Sequence, residues 1–292
     1  MGKDIKGLLA ALTTPYTPSG EIDYKQLREI VEFLIRQGMN GFYVCGSTGE
    51  AFLLTDEERK KIVEVVVNQV AGRVPVVAHI GNIGTRKTIE LGLHAKAVGV
   101  DAISSVSPFY YKFSYGEIKS YYDRVADACE LPMIVYNFPS LVGTQFSIEQ
   151  LEGLLSHSLI KGLKHTSQDL YQLERIKNRR SDLVVYNGFD EMLLSGLIAG
   201  ADGGIGSTYN CMPQLYINLL DHFKAGDIEE AKLLQSKANH VIEYIVKYGV
   251  MQSVKVLLGC YGFEDNGCRE PFKMLKEEEK KVLQQVFKQY LS

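Results

Sequence analysis

The sequence predicts an α/β fold, a (β/α)8 barrel with a C-terminal helical extension. Eight short apolar runs alternate along the first 210 residues with segments whose apolar side chains recur at helical spacing. Near-continuous apolar strands joined by amphipathic helices are typical of a parallel sheet covered by helices, and eight such units favour closure into a barrel. No GxGxxG motif follows the first run, which disfavours an open dinucleotide-binding sheet.

Each strand candidate is a short apolar run of the length that a buried barrel strand needs. In chain order the candidates are residues 7–15, 41–46, 75–81, 101–108, 132–139, 160–166, 183–188 and 203–210.

The helix candidates begin at capping residues and carry an apolar stripe. The first follows Asp23 and stops at Gly38, and the pairs Thr55 with Glu58 and Ser114 with Glu117 form capping boxes for two others. Further barrel helices are predicted near 84–98, from Ser147, from about Gln168 and from about Asp190.

Beyond residue 210 the pattern is helical only. Segments near 213–225, 227–248, 250–262 and 276–291 are predicted to be helices, with a loop at 265–267. We therefore divide the chain into a barrel, residues 1–210, and an extension, residues 211–292, packed on it as one structural unit.

Composition excludes several classes of function. The chain has 292 residues, 46% hydrophobic and 23% charged, with a formal net charge of −3, so disorder and a nucleic-acid footprint are both disfavoured and a small-molecule partner is expected. No apolar run is long enough for a membrane span, and residues 1–16 do not resemble a signal peptide. The five cysteines are scattered without a CxxC pair, which predicts a reduced, cytoplasmic protein with no structural metal.

Polar residues gather where the predicted strands end. In a barrel of this kind the reacting groups lie at the carboxyl ends of the strands, so these positions are the first candidates for a site. They are residues 46–50, 109–111, 136–137, 164–166, 187–191 and 206–208.

Residues 160–166, IKGLKHT, place two lysines in one strand. Because side chains alternate along a strand, Lys164 and Thr166 share one face while Lys161 and His165 share the other. A lysine that points into a barrel is desolvated, which lowers its pKa toward the range where the free amine attacks a carbonyl. Lys164 is therefore a candidate Schiff-base lysine, and Lys161 is predicted to be solvated.

Each candidate also has an ordinary structural interpretation. Lys164 is either the proposed nucleophile or a surface lysine, and Tyr136 is either a proton relay or a packed aromatic. Residues 46–50, GSTGE, form either an anion cradle or a tight turn with a helix cap. Asp190 and Glu191 are expected to cap the next helix, to bind a polyol, or both. His79 and His165 are predicted to be structural histidines, and Cys45 to be inert packing.

Several motifs together carry a family resemblance. They are LTTPYTPSGEID (12–23), GFYVCGSTGEAFLLTDEER (41–59), SPFYY (107–111), IVYNFP (134–139), GLKHTSQDLYQ (162–172), YNGFDE (186–191) and GADGGIGSTYN (200–210). In this order, over essentially the whole chain, they resemble the N-acetylneuraminate lyases, in the superfamily of pyruvate-dependent class I aldolases that also contains dihydrodipicolinate synthase. The resemblance implies a TIM barrel, a homotetramer and lysine chemistry without a cofactor.

The resemblance also implies residue roles. Lys164 would condense with the C2 ketone of N-acetylneuraminate, Tyr136 would move protons at the C4 hydroxyl, and Ser47 and Thr48 would bind the carboxylate. Tyr110 matches an aromatic that in relatives contributes to a neighbouring subunit's site. Residues that match the binding set for the sugar are Thr166, Gly188, Asp190, Glu191 and Ser207.

The choice within the superfamily depends on fewer positions. Leu141 stands where dihydrodipicolinate synthases carry an arginine, which argues against a dicarboxylic product. His165, Gln168 and Met251 are expected to influence which sialic acid derivative is preferred. The alternatives are another 2-keto acid as substrate, such as a keto-deoxy sugar acid, and a silent barrel, which would be free to lose Lys164 or Tyr136.

Overall fold

The computed structural model describes residues 5–291 and contains a closed barrel of eight parallel strands, with β8 pairing back onto β1. The strands are β1 (Gly7–Ala11), β2 (Gly41–Val44), β3 (Val76–His79), β4 (Ala102–Val106), β5 (Met133–Asn137), β6 (Ile160–His165), β7 (Val184–Asn187) and β8 (Gly203–Gly206). The predicted fold class is confirmed.

Helices connect the strands and continue beyond β8. They are α1 (Tyr24–Arg36), α2 (Asp56–Val70), α3 (Thr85–Val98), α4 (Tyr115–Cys129), α5 (Pro139–Val142), α6 (Ile148–Leu154), α7 (Leu170–Arg179), α8 (Leu193–Ile198), α9 (Pro213–Lys224), α10 (Ile228–Tyr248), α11 (Val250–Leu258) and α12 (Glu277–Leu291).

The helix starts follow the predicted caps. Asp23 accepts a hydrogen bond from Gln26 N at 2.9 Å, and capping boxes begin α2 at Thr55, α4 at Ser114 and α6 at Ser147. These side chains satisfy backbone N–H groups that have no partner inside the helix. The local sequence therefore fixes where each of these helices begins.

The barrel has an inner and an outer core. Alternate strand residues point inward and fill the barrel, among them Leu9, Tyr43, Ile134, Tyr186 and Ile205, all of them buried. Their neighbours point outward and pack against the helix layer in a second, larger core. This two-sided burial explains why the strands read as continuous apolar runs.

The strands stop earlier than the apolar runs predict. The run 132–139 leaves the sheet after Asn137, and Pro139 begins the short helix α5, which the sequence analysis did not predict. The run 203–210 ends at Gly206 and continues as a 3-10 turn, Thr208–Asn210. The discrepancy arises because residues just past the barrel rim remain at least partly buried, so their hydrophobic pattern does not change where the strand ends.

The helices after β8 cover part of the barrel. Helix α10 packs against α9 and α12 and also contacts α8 and the 3-10 turn Asp190–Met192 at the end of β7. This contact brings α10 and the start of α11 to the carboxyl ends of the strands.

The boundary at residue 210 stays a prediction. Among residues 5–291, none of the helices combines the length and apolarity that crossing a membrane requires.

Candidate active site

A cavity of about 420 Å³ opens at the carboxyl ends of the strands. Nine of the ten predicted site residues line it: Lys164, Tyr136, Ser47, Thr48, Thr166, Gly188, Asp190, Glu191 and Ser207. They come from the ends of β5 and β6 and from the loops after β2, β7 and β8. The barrel therefore brings together residues that lie up to 160 positions apart in the sequence, from Ser47 to Ser207.

Lys164 lies inside the barrel. It stands in register with Tyr136 on β5 and Tyr186 on β7, and its Nζ lies 4.5 Å from the ring centroid of Tyr43 and 4.1 Å from that of Tyr136. Burial lowers the pKa of Lys164 to about 7, and the nearby Asp190 carboxylate partly opposes the shift. Lys161, on the other face, is exposed as predicted. An uncharged amine is therefore accessible at neutral pH on Lys164.

Tyr136 lies beside this amine, with its ring facing Lys164 Nζ. Its ring stacks on Phe138 with centroids 5.7 Å apart and meets Tyr43 edge-on at 6.1 Å. Burial raises the pKa of Tyr136 to about 12, while the hydroxyls of Ser47 and Thr166 act in the opposite direction. Tyr136 is therefore a protonated phenol in the resting site, with two neighbouring hydroxyls that favour its anion.

The loop after β2 brings two hydroxyls to the cavity. Cys45 and Glu50 flank residues 46–49 and both adopt the left-handed conformation, with φ of 58°. Thr48 Oγ1 lies 2.7 Å from Ser207 Oγ, so the loops after β2 and β8 are joined by a hydroxyl pair. Ser47 lines the cavity next to this pair. Hydroxyl donors at this position suit an anionic group of a ligand.

Thr166 and Gly188 fit tightly against each other. A Cβ on Gly188 would collide with the Oγ1, Cβ and Cα atoms of Thr166, so only glycine leaves Thr166 in place. Thr166 Oγ1 is buried and has no partner at hydrogen-bond geometry among the described residues. A buried hydroxyl of this kind is available to a ligand that fills the cavity.

Asp190 anchors the loop after β8. Its Oδ2 accepts hydrogen bonds from Thr208 N at 2.8 Å and from Thr208 Oγ1 at 2.7 Å, and Thr208 Oγ1 in turn lies 2.8 Å from Tyr216 Oη. Burial raises the pKa of Asp190 to about 6. Of the alternatives for Asp190, helix capping is not found, because its carboxylate bonds instead to Thr208 in the 3-10 turn after β8. Glu191 lies beside it, on the cavity wall.

The predicted structural residues are confirmed. His79 Nδ1 lies 2.9 Å from Cys45 O and its Nε2 accepts from Val106 N, while burial lowers its pKa to about 3. His165 faces the helix layer, where its ring nitrogens contact Asn137 Nδ2 and Asp169 O. These bonds use both nitrogens of each ring, so neither histidine is placed to act as a base. Cys45 is buried, and burial raises the pKa of its thiol to about 11.

Sequence reasoning missed most of one wall of the cavity. This apolar wall is formed by the end of α10 and the start of α11: Ile242, Ile245, Val246, Val250 and Met251. Only Met251 was singled out from the sequence. The helical periodicity of α10 shows that these residues form a stripe, but which barrel loop the stripe covers is decided by tertiary packing.

A second cavity of about 500 Å³ adjoins the first. The two share Thr166 and Phe189, and the second is also lined by Ser167 and Gln168. Of the three positions expected to influence substrate preference, Met251 and Gln168 therefore border the cavities, and His165 does not line either one.

Tyr110 lies outside the cavity. Its side chain is 83% exposed, its φ is 78°, and its ring meets that of Tyr111 edge-on at 5.0 Å. A positive φ is uncommon for a bulky residue and marks a backbone position held by its surroundings.

No group of three or more metal-ligating side chains occurs within residues 5–291.

Comparison with known proteins agrees with this geometry. Residues 4–290 match the dihydrodipicolinate synthetase family. The chain is 44% identical to N-acetylneuraminate lyase 2 of Escherichia coli O6:H1, over 97% of this chain and 93% of that protein. It is 43% identical to N-acetylneuraminate lyase of Rhizobium meliloti, over 97% and 94%. The crystal structure of N-acetylneuraminate lyase from Fusobacterium nucleatum complexed with pyruvate superposes with a TM-score of 0.93, at 35% identity over 99% of this chain and 98% of that one. The chain therefore belongs to the dihydrodipicolinate synthetase family and, within it, to the N-acetylneuraminate lyases.

Proposed function

We propose that this protein cleaves N-acetylneuraminate reversibly to N-acetylmannosamine and pyruvate through a Schiff base on Lys164. The observation that carries the proposal is the placement of a desolvated lysine amine, with a lowered pKa, at the carboxyl rim of the barrel beside a phenol. An amine in this state is the nucleophile that a class I aldolase requires.

The reaction begins at the amine. Neutral Lys164 adds to the C2 ketone of the open-chain substrate, and loss of water gives a protonated imine. Tyr136 donates its proton to the hydroxyl that leaves as this water, and the resulting phenolate takes up the proton of the C4 hydroxyl as the C3–C4 bond breaks. The bond electrons move into the imine, which becomes an enamine, and C4 leaves as the aldehyde of N-acetylmannosamine. Protonation of the enamine at C3 and hydrolysis of the imine release pyruvate and restore Lys164.

The other site residues hold the two halves of the substrate. Ser47 and Thr48 donate hydrogen bonds to the carboxylate that adjoins C2. The residues that bind the sugar half are Thr166, Gly188, Asp190, Glu191 and Ser207. Their support is the open hydroxyl of Thr166 and the buried carboxylate of Asp190, because a polyol needs both donors and acceptors.

Leu141 supports this substrate over a dicarboxylic one. Its side chain lines the cavity and is 53% exposed, so the position offers no positive charge to a second carboxylate. A site without a cation there leaves such a carboxylate desolvated and unpaired, which disfavours its binding.

We further propose a homotetramer in the cytoplasm, in which Tyr110 reaches the site of a neighbouring subunit. The exposure of Tyr110 at the barrel rim supports a contact with another chain. The five cysteines are free thiols, which suits a reducing compartment.

Trapping the imine tests the proposed function. Incubation with pyruvate and borohydride should attach the reduced adduct to Lys164, located by peptide mass mapping. Lys164→Ala should abolish the adduct and the release of N-acetylmannosamine, whereas Lys161→Ala, on the exposed face of the same strand, should retain both. An adduct on another lysine, or turnover by Lys164→Ala, would contradict the mechanism.

A further inference from the structure

A buried ion pair behind the substrate cavity joins two residues 205 positions apart, Glu50 and Lys255. Lys255 Nζ lies 2.6 Å from Glu50 Oε1, and the two side chains are 5% and 0% exposed. Glu50 Oε2 also accepts from Arg269 N at 2.8 Å, and Lys255 donates to Gly267 O at 2.8 Å. The ammonium lies 4.2 Å from the ring centroid of Tyr16. Both charged groups are therefore fully partnered.

Glu50 closes the loop that presents Ser47 and Thr48. Its backbone N–H donates to Ser47 O at 3.0 Å, and its left-handed φ of 58° turns the chain out of this loop into the next 3-10 turn. A non-glycine residue keeps such a conformation only where surrounding contacts fix it. The contacts of the Glu50 carboxylate with Lys255 and the Arg269 backbone supply that constraint.

Lys255 lies on α11, one turn after Met251. Residues four apart share a helix face, so the helix that contributes Val250 and Met251 to the cavity wall is tied through Lys255 to the loop after β2. One ion pair therefore connects two walls of the cavity. Lys164 belongs to neither, because it is fixed by β6 and its pairing with β5 and β7.

We propose that Glu50 and Lys255 are positioning residues that hold Ser47 and Thr48 against the carboxylate of the 2-keto acid, an inference that rests on the proposed function. A buried ion pair adds little net stability compared with apolar residues of similar size, so stability alone does not account for it. Its contacts instead define the position of the loop relative to the amine. Loss of the pair should weaken recognition of the carboxylate and leave the nucleophile unaffected.

The experiment compares two methyl ketones that differ only in the carboxylate. Pyruvate and acetone are both expected to form an imine with Lys164, and borohydride trapping measures each rate. In Lys255→Met, pyruvate trapping should fall by about tenfold or more, the effect of losing a hydrogen bond to a charged group, while acetone trapping stays within about twofold of wild type. A general disturbance of the barrel would reduce both.

Lys177→Met is the matched control. Lys177 also joins a carboxylate and a backbone carbonyl, Asp202 Oδ2 at 2.7 Å and Leu183 O at 2.8 Å, but Asp202 precedes β8, at the amino end of the barrel. Loss of the Lys177 ammonium removes the same kind of contacts, but far from the loop that presents Ser47 and Thr48. The ratio of pyruvate to acetone trapping should therefore remain that of wild type.

A second variant tests the proposal if Lys255→Met does not fold. Glu50→Gln with Lys255→Met leaves no unpaired buried charge and should fold, and it should show the same selective loss of pyruvate trapping. The proposal is overturned if the trapping rates of both ketones fall equally in a folded variant, or if neither rate falls. It is also overturned if neither variant folds. Wild-type protein that forms no adduct on Lys164 with either ketone would instead overturn the proposed function.

Discussion

Two opposing effects of its surroundings set the pKa of Lys164. Burial among the rings of Tyr43 and Tyr136 removes water from the ammonium and lowers its pKa to about 7, and the carboxylate of Asp190 favours the charged form. The burial effect is the larger. The amine consequently changes its charge near neutral pH, and the positively charged imine that it forms lies near the negative charge of Asp190.

The rate of pyruvate trapping should follow this titration. Because the folded pKa is depressed from 10.5, the reactive free amine is scarce well below pH 7 and dominant above it, so the second-order rate should rise through about pH 7 and then level off. Asp190→Asn removes the charge that raises the pKa of Lys164, so the rising limb should move to lower pH. Borohydride trapping at a fixed low pyruvate concentration measures both profiles. A trapping rate that rises only near pH 10 would contradict this account. So would a shift of the rising limb to higher pH in Asp190→Asn.

At the scale of the element, strand β6 shows what sequence reasoning can achieve. Strict alternation was sufficient to separate Lys164 and Thr166 from Lys161 and His165, because a barrel strand has only an inside and an outside. Cap residues located the starts of α1, α2 and α4 for a similarly local reason. The rule that barrel chemistry lies at the carboxyl ends of strands then selected most of the cavity.

What the sequence does not reveal depends on long-range packing. The partner of Glu50 lies 205 residues away, and nothing in the residues around Lys255 distinguishes it from a solvated lysine of an amphipathic helix. The apolar wall from α10 and α11 depends in the same way on where the extension settles. Asp190 shows that prediction from sequence also fails at shorter range. Its bond to Thr208 forms only because the neighbouring strand β8 brings Thr208 beside it.

Helix α10 supports the loop after β7 through one buried amide. Gln235 Oε1 accepts from Leu194 N at 2.9 Å, and its Nε2 donates to Asp190 O at 3.1 Å. Gln235→Ala leaves both backbone groups without these partners, at a cost of about 1–3 kcal/mol. For a protein of this size we expect the melting temperature to fall by about 2–4 °C for each kcal/mol.

The same change should also alter function selectively. Loosening the loop at Asp190 should raise KM for N-acetylneuraminate and leave pyruvate trapping well above pH 7 unchanged. The trapped fragment lacks the sugar half, and the amine of Lys164 is already uncharged at that pH. Gln214→Ala is the control, since within the described part of the chain its amide bonds only to Asn218 on the exposed face of α9. Equal melting temperatures for the two variants would show that the Gln235 amide does not support this loop.

At the scale of the whole molecule, the role proposed for Tyr110 would link activity to assembly. Its exposed ring lies at the rim but does not line its own chain's cavity, whereas Lys164 and Tyr136 line one cavity of one chain. If Tyr110 completes a neighbouring site, subunits with Tyr110→Ala and subunits with Lys164→Ala should each be nearly inactive alone. A mixed interface contains one site with Lys164 from the first subunit and Tyr110 from the second.

Mixed assemblies should therefore regain activity. Random pairing of equal amounts of the two variants, mixed under conditions that exchange subunits, should recover about a quarter of wild-type cleavage, because half of the sites carry Lys164 and half of those receive Tyr110. Mixing Lys164→Ala with Tyr136→Ala should recover nothing, since both residues must come from the same chain. Cleavage assays with light scattering on the mixtures measure activity and assembly together. Full activity of a monomer, or no recovery in the first mixture, would rule out a shared site, because a tyrosine supplied by a second chain acts only when that chain is present.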